Sequence, residues 1–132
     1  MDSYVIAAGL VFRGGKILIT RRKSGSHLGD YWEFPGGKRF GKEALSDCLV
    51  REIREEVGIN VRVGPEIFST VHRYPERRVD LHFFQCEWES GEPSPIGCEE
   101  CLWVEKKRLL SYSFPPANAK LIEKLQALET LA

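Results

Sequence analysis

The segment from Glu43 to Val57 constrains the fold more than any other part of the chain, because it contains neither glycine nor proline. Within it, Leu49, Ile53 and Val57 recur at i, i+4 and i+8, and Gly58 follows directly. This spacing places the apolar side chains on one face of an α-helix, and glycine is the residue that most often ends a helix. The segment is therefore predicted to form a helix that packs against a core.

A second face of this predicted helix carries three glutamates. Successive helical residues advance by about 100°, so Glu52, Glu55 and Glu56 fall within an arc of roughly 100°. Glu52 and Glu56 are like charges at i and i+4, which destabilises a helix unless a cation lies between them. Mg²⁺ and Mn²⁺ prefer oxygen ligands and commonly bind substrate phosphates as well. Two interpretations are open: a solvated face with ion pairs such as Arg51 with Glu55, or a metal site that binds phosphate.

Strand-like segments fill most of the remaining chain. They are apolar or alternating runs separated by turns that contain glycine or proline. The predicted strands are VIAAGLVF from Val5, ILIT from Ile17, YWEF from Tyr31, a segment ending near His72, VDLHFFQCEW from Val79 and LWV from Leu102. A second helix is predicted from Pro116 onward, with Leu121, Ile122, Leu125 and Leu128 on one face. Strands interleaved with two helices in a mixed order indicate an α/β sandwich.

The overall composition limits the classes of protein to which the chain can belong. Its 132 residues suit one domain, predicted to span residues 1–132, and 19 Lys and Arg balance 19 Asp and Glu. Without a broad positive field, binding to duplex nucleic acid is not expected, and a polyanionic ligand must be held locally. No segment resembles a secretion signal or approaches the roughly 20 apolar residues that span a bilayer. We expect a cytoplasmic monomer without membrane contact, whose four cysteines are unpaired.

The carboxylate segment also carries a family resemblance. Residues 37–59 read GKRFGKEALSDCLVREIREEVGI, which resembles the Nudix box, G-x5-E-x7-R-E-U-x-E-E-x-G-U with U an aliphatic residue, at every defined position. Seven of those positions fix a single residue type, so the chance of a random match is on the order of 10⁻⁹ per starting point. The resemblance implies a metal-dependent hydrolase of diphosphate bonds. It also implies the Nudix fold, an α/β/α sandwich with a mixed β-sheet and two main helices.

Roles for individual residues follow from this resemblance. The implied metal ligands are the carboxylates of Glu52, Glu55 and Glu56 and the carbonyl oxygen of Gly36. The implied metal is Mg²⁺, with Mn²⁺ as an alternative, and Arg51 is expected to orient the glutamates. One carboxylate must stay free to accept a proton from the attacking water. That general base is left open between a glutamate of the box, such as Glu52 or Glu56, and a later glutamate, Glu99 or Glu100.

Three shorter stretches extend the resemblance to the MutT branch of the family: TRR at Thr20, EFPGGK at Glu33 and FPPAN at Phe114. The branch implies hydrolysis of 8-oxo-dGTP to 8-oxo-dGMP and pyrophosphate, which removes an oxidised nucleotide from the pool used for DNA replication. The nucleotide contacts that it implies are Arg22, His27, Glu33, Phe34, Pro35, Gly36, Lys38, Arg77 and Asn118. The amide of Asn118 is also suitable on chemical grounds, because it offers both a donor and an acceptor to a purine edge.

Two alternatives remain open at this point. The box defines the reaction but not the base, so a pyrophosphohydrolase for modified pyrimidine nucleotides, of the CTP or dCTP type, is the first alternative. A non-catalytic nucleotide-binding Nudix module is the second. The intact set of Glu52, Glu55 and Glu56 argues against the second, because a module that only binds has no need to keep mutually repelling carboxylates.

Overall fold

The computed structural model describes residues 2–127, apart from the side chain of Asp2. Within this part of the chain there are seven strands, two α-helices and two short 3₁₀-helices. The strands are β1 (Asp2–Arg13), β2 (Lys16–Arg21), β3 (Trp32–Glu33), β4 (Gly36–Lys38), β5 (Asn60–Tyr74), β6 (Arg77–Ser90) and β7 (Glu100–Glu105). The helices are α1 (Leu45–Val57), α2 (Ala119–Ala127) and the 3₁₀ segments Lys106–Ser111 and Pro116–Asn118.

The strands form one mixed sheet. Its order is β3-β2-β1-β6-β5, with β4 paired to β1 and β7 paired to β2. Strand β1 runs parallel to β6, whereas its pairings with β2 and β4 are antiparallel. Strands β1 and β2 form one antiparallel hairpin, and β5 and β6 form a second. The parallel β1–β6 pairing joins them and makes β1 a central strand that is paired on both edges.

The two α-helices cover opposite faces of this sheet. On β1, Ala7 and Val11 pack into the core cluster that contains α1, whereas Leu10 and Phe12 pack into the cluster that contains α2. Such alternation is expected of a strand that is buried on both faces. The apolar helix residues Leu49, Ile53, Val57, Leu121, Ile122 and Leu125 are buried, as predicted. The predicted α/β/α sandwich is therefore confirmed, while Leu128 lies outside the described residues.

The start and the end of α1 determine where its carboxylates lie. The helix begins at Leu45, two residues later than the predicted start at Glu43, because the Glu43 carboxylate accepts a hydrogen bond from the backbone N–H of Phe40 in the preceding turn. It ends at Gly58, which adopts a left-handed conformation with φ of 75° and donates to the carbonyl of Arg54. Glycine adopts this conformation without strain from a side chain. The predicted end of the helix is confirmed.

Two further expectations concern cysteines and membranes. All four cysteines are unpaired, as predicted, and Cys86 and Cys98 are buried. Burial raises the pKa of both of these thiols to about 12, so they remain protonated and poorly nucleophilic near neutral pH. No helix within residues 2–127 is long and apolar enough to cross a membrane.

Candidate active site

The glycine pair after β3 brings the backbone close to α1. Gly36 pairs with Ala8 of β1, and the Gly9 amide donates to the Pro35 carbonyl at 2.8 Å. A Cβ atom on Gly36 would lie 2.1 Å from the Ala7 carbonyl oxygen, so no side chain fits between these backbones. The loop is thereby fixed against the central strand β1. At this point it also lies next to the carboxylate face of α1.

Arg51 is the charged centre of this helix face. Its guanidinium donates to the Glu43 carboxylate, to Glu52 Oε1 at 2.7 Å and to Glu55 Oε2 at 3.4 Å. Its hydrogen bonds to Glu43, together with the bond from the Phe40 amide, lower the pKa of Glu43 to about 2. Arg51 therefore contacts two of the three box glutamates, which is the position needed to orient them.

Glu52 lies between Arg51 and the glycine loop. Its side chain is 17% exposed, and while Oε1 accepts from Arg51, Oε2 lies directly against Gly37. A Cβ atom on Gly37 would stand 2.1 Å from that oxygen. Glycine at position 37 therefore provides the space that the carboxylate occupies, which explains why the loop needs a second glycine without invoking backbone strain.

Glu56 is in a different environment from Glu52. Its side chain is partly buried and accepts a hydrogen bond from the Thr20 hydroxyl on β2 at 3.2 Å. Burial raises the pKa of Glu56 to about 8, and the nearby carboxylates of Glu33 and Glu52 add to this effect. Burial also raises the pKa of Glu33, against the opposing effect of Arg22, whose Nη1 lies 3.3 Å from both Glu33 oxygens.

The donor set suits a divalent cation. Among the described residues, no three acidic, histidine or cysteine side chains surround a common point, and Arg51 holds Glu52 and Glu55. Nevertheless, every ligand that the sequence predicts here is a hard oxygen donor, the type that binds Mg²⁺ and Mn²⁺. The raised pKa of Glu56 shows a site that disfavours an isolated negative charge, and a cation would remove that penalty. These residues therefore fit a divalent metal.

A cavity of about 310 Å³ opens beside Glu33. Of the predicted nucleotide contacts, it is lined by Arg22, His27, Glu33, Lys38, Arg77 and Asn118. A smaller adjoining cavity of about 110 Å³ shares three of these residues and adds Phe34, Gly36 and Gly37. A third, of about 160 Å³, is lined by Arg22, Glu33 and Glu56 among others. Arg22 and Glu33 border all three cavities, so they connect the proposed nucleotide site to the carboxylates.

Asn118 stands out among the lining residues. It ends the 3₁₀ turn Pro116–Asn118, is only 7% exposed and lines both the large cavity and the smaller one. Its backbone N–H donates to the Pro115 carbonyl at 3.0 Å, which holds the turn against Pro115. A buried polar group of this kind normally has a partner. The Asn118 amide lines two cavities, so a polar ligand there could supply that partner.

The later glutamates lie elsewhere. Glu100 is at the start of β7, where its carboxylate forms an ion pair with Arg21 at 3.1 Å. Glu99 is exposed, and its backbone N–H donates to the Arg21 carbonyl. The three cavities described above include neither residue in their lining. Of the box glutamates, Glu56 lines one of these cavities, whereas both late candidates lie beside Arg21.

Several lining residues were missed by sequence reasoning. Tyr4 and Tyr74 both line the large cavity, where the Lys38 ammonium lies 4.1 Å from the centre of the Tyr4 ring. The Tyr74 ring meets the His27 ring edge to face at 5.2 Å, which joins the β5–β6 turn to the loop after β2. Thr20, which contacts Glu56, was also missed. In the sequence it stands out only as a hydroxyl at the end of the apolar run ILIT and as the first residue of the TRR stretch, where it was assigned no role.

Comparisons with known proteins identify the family of the chain. A family model described as the NUDIX domain matches residues 7–124. The 8-oxo-dGTP diphosphatase of Haemophilus influenzae is 37% identical over 129 residues, which cover 95% of this chain and 94% of that protein. The CTP pyrophosphohydrolase of Escherichia coli is 32% identical, over 97% and 95% of the two chains. The solution structure of the E. coli ORF135 protein matches with a TM-score of 0.83 at 31% identity, covering 98% of this chain and 93% of that one.

Proposed function

Because the chain belongs to the NUDIX domain family, we propose that it is a nucleoside triphosphate pyrophosphohydrolase that converts 8-oxo-dGTP to 8-oxo-dGMP and pyrophosphate. The Nudix resemblance of residues 37–59 is confirmed by the family match, and so is the prediction of an enzyme of this class. Proteins of this family depend on a divalent metal. The preferred base, the individual site residues and the identity of the metal are parts of the proposal.

The proposal of an oxidised purine as the substrate rests on the buried residue Asn118. An amide can donate and accept at once, and an 8-oxo purine presents an acceptor at O6 next to a donor at N7–H. Asn118 is 7% exposed and lines the cavity that also contains Arg77 and Tyr74. An unmodified guanine offers only acceptors at the same edge, so one of the two amide bonds would be lost. Asn118 therefore favours the oxidised base, because an amide donor that loses its bonds to water without gaining a partner weakens binding.

The box glutamates form the other half of the proposed site. Glu52 and Glu56, together with Glu55 and the Gly36 carbonyl, would hold Mg²⁺, or Mn²⁺ in its place. When bound, such an ion neutralises charge on the phosphate oxygens and makes a bound water more acidic. Arg51 keeps Glu52 in place through the 2.7 Å bond to Oε1, so the opposite oxygen remains directed to the Gly37 side.

Arg22 and Lys38 are the cations proposed to contact the phosphates. Both line the large cavity, and Arg22 also borders the cavity that contains Glu56. Arg22 is held by Glu33 at 3.3 Å and by the His27 carbonyl at 2.8 Å, so its guanidinium is oriented before any ligand binds. The backbone of Phe34 and Pro35, which is fixed to β1, completes the proposed wall of the site. We also propose that residues 1–132 act as one domain and as a monomer.

The test compares hydrolysis of 8-oxo-dGTP, dGTP, CTP and dCTP in the presence of Mg²⁺, with pyrophosphate as the readout. We expect the wild type to prefer 8-oxo-dGTP, and Asn118→Ala to lower kcat/KM for that substrate by about 5- to 150-fold, equivalent to roughly 1 to 3 kcal/mol. Activity on dGTP should change much less. Asn60→Ala is the matched control, because Asn60 is the other asparagine of the chain and bonds to Arg54 and Ser90 instead.

A pyrimidine substrate is the second candidate, because the CTP pyrophosphohydrolase of E. coli is 32% identical to this chain. A wild-type preference for CTP or dCTP in the same panel would replace the purine assignment. Equal losses on 8-oxo-dGTP and dGTP in Asn118→Ala would show that Asn118 supports the fold or the phosphates and does not select the base. Neither result would alter the family assignment or the reaction class.

A further inference from the structure

Two polar residues are buried in the described part of the chain, and both border the proposed site. Asn118 is assigned to the base, whereas Thr20 has no assigned role. Thr20 is 0% exposed and directly follows the buried residues Ile17–Ile19 of β2. A buried hydroxyl loses its bonds to water, which is unfavourable unless a protein group replaces them. Threonine at position 20 therefore has a desolvation penalty that a valine of the same shape would avoid.

The Thr20 hydroxyl has two possible acceptors. Its Oγ1 lies 3.2 Å from Glu56 Oε1 and 3.5 Å from the Glu33 carbonyl oxygen. A hydroxyl has a single proton to donate, and an ionised carboxylate accepts a stronger bond than a neutral carbonyl does. The shorter of the two distances is also the one to the stronger acceptor, the Glu56 carboxylate. Glu56 is therefore the acceptor that Thr20 serves when this carboxylate is charged.

Glu56 is anchored differently from the other box glutamates. Arg51 holds Glu52 and Glu55 from within α1. Among the contacts described for residues 2–127, the hydrogen bond to the Glu56 carboxylate comes instead from β2, 36 positions earlier in the chain. A glutamate side chain has several rotatable bonds, and fixing them on ligand binding is entropically unfavourable. A bond to Oε1 restricts this motion in advance and leaves Oε2 available.

We propose that Thr20 is a positioning residue, whose hydroxyl holds Glu56 through Oε1 so that the carboxylate is already in place to bind the divalent cation. This inference rests on the proposed function. Thr20 acts through Glu56 and needs no contact with the nucleotide. Groups that hydrogen-bond a metal ligand typically change metal affinity or activity by roughly 10- to 100-fold when they are removed.

The test uses two substitutions that separate the hydroxyl from the shape of the side chain. Thr20→Val keeps the shape and removes the donor, whereas Thr20→Ser keeps the donor and removes the methyl group. Binding of Mn²⁺ to the full chain without nucleotide is measured by electron paramagnetic resonance. We expect Thr20→Val to bind Mn²⁺ roughly 10- to 100-fold more weakly. Thr20→Ser should stay within about threefold of the wild type, because its donor remains.

Thermal unfolding and kinetics show whether the effect is local. The metal-free Thr20→Val protein should be at least as stable as the wild type, since a buried polar group is replaced by an apolar one of equal shape. Its kcat should fall by a factor similar to that for Mn²⁺ affinity, while KM changes little. A loss of stability together with KM and kcat effects of equal size would indicate a structural role and overturn the inference.

Glu56→Gln separates failure of this inference from failure of the metal site itself. If Glu56→Gln weakens Mn²⁺ binding while Thr20→Val stays within twofold of the wild type, Thr20 has no positioning role and the metal site stands. If Glu56→Gln binds Mn²⁺ normally, the proposed metal site is wrong and the inference is overturned with it. Equal losses in Thr20→Val and Thr20→Ser would assign the effect to the methyl group and also overturn it.

Discussion

Gly37→Ala offers a direct test of how the glycine loop positions Glu52. The added Cβ atom would stand 2.1 Å from Glu52 Oε2, whereas ordinary contacts of this kind begin at 3.4 Å. The carboxylate must therefore retreat by about 1.3 Å. A displacement of about 1 Å at a catalytic group can reduce activity by roughly 100-fold. We expect a loss of this size in kcat/KM, together with weaker binding of Mn²⁺.

The stability of the Gly37→Ala protein should change little. The atom that meets the new methyl group is the end of a flexible side chain, so it can move while the backbone stays in place. Gly36→Ala is the matched control, because its Cβ atom would stand 2.1 Å from the Ala7 carbonyl oxygen. That oxygen belongs to the central strand β1 and cannot move without disturbing the β1–β4 pairing. Gly36→Ala should therefore unfold at a much lower temperature.

The measurements are kcat/KM for 8-oxo-dGTP, Mn²⁺ affinity and the midpoint of thermal unfolding for both variants. The contrast between the two adjacent glycines is the decisive result: one loses function and keeps stability, and the other loses stability. Wild-type kcat/KM in Gly37→Ala would refute the argument, because it would mean that the Glu52 carboxylate need not lie at Gly37. Equal destabilisation of both variants would refute it as well, because the effect would then come from the backbone.

Two further predictions concern the charge of Glu56 and the bond that is broken. Its pKa of about 8 in the folded protein exceeds the ordinary value of 4.5, so between these pH values the folded metal-free protein binds a proton that the unfolded chain has released. The contribution of Glu56 to the free energy of unfolding should therefore be fully present below pH 4.5. It should fall as the pH rises to about 8, by at most about 1.4 kcal/mol per pH unit. Thermal midpoints between pH 5 and 8 measure this slope, and an unchanged slope in Glu56→Gln would exclude Glu56 as its source. Hydrolysis in ¹⁸O-labelled water should place the label in 8-oxo-dGMP or pyrophosphate, and mass spectrometry that finds it only in orthophosphate would contradict the proposed products.

The helix that carries the carboxylates was predictable because its information is local. Residues three and four positions apart share a helix face whatever the rest of the fold does. The apolar positions of α1, its end at Gly58 and the i, i+4 contact of Arg51 with Glu55 all follow from spacing alone. The start of α1 was less predictable, because the bond from the Phe40 amide to Glu43 competes with the first helical turn.

The late glutamates show the opposite case. Sequence reasoning left the general base open between a box glutamate and Glu99 or Glu100. In the structure, β7 pairs with β2 so that Glu100 lies opposite Arg21, and the two side chains form an ion pair. The register between two strands nearly 80 positions apart decides this contact. No local pattern around Glu100 indicates which cation it will meet.

What the sequence determined by itself was the set of chemical groups and their order on each element: three carboxylates on one helix face, two glycines in the preceding loop and an amide after two prolines. Only the tertiary structure decided the environment of each group. Packing of β2 against α1 brings the Thr20 hydroxyl to Glu56, and the burial created there raises the pKa of that carboxylate to about 8. Spacing along a chain fixes which side chains share a face, whereas desolvation depends on what the rest of the chain places over them.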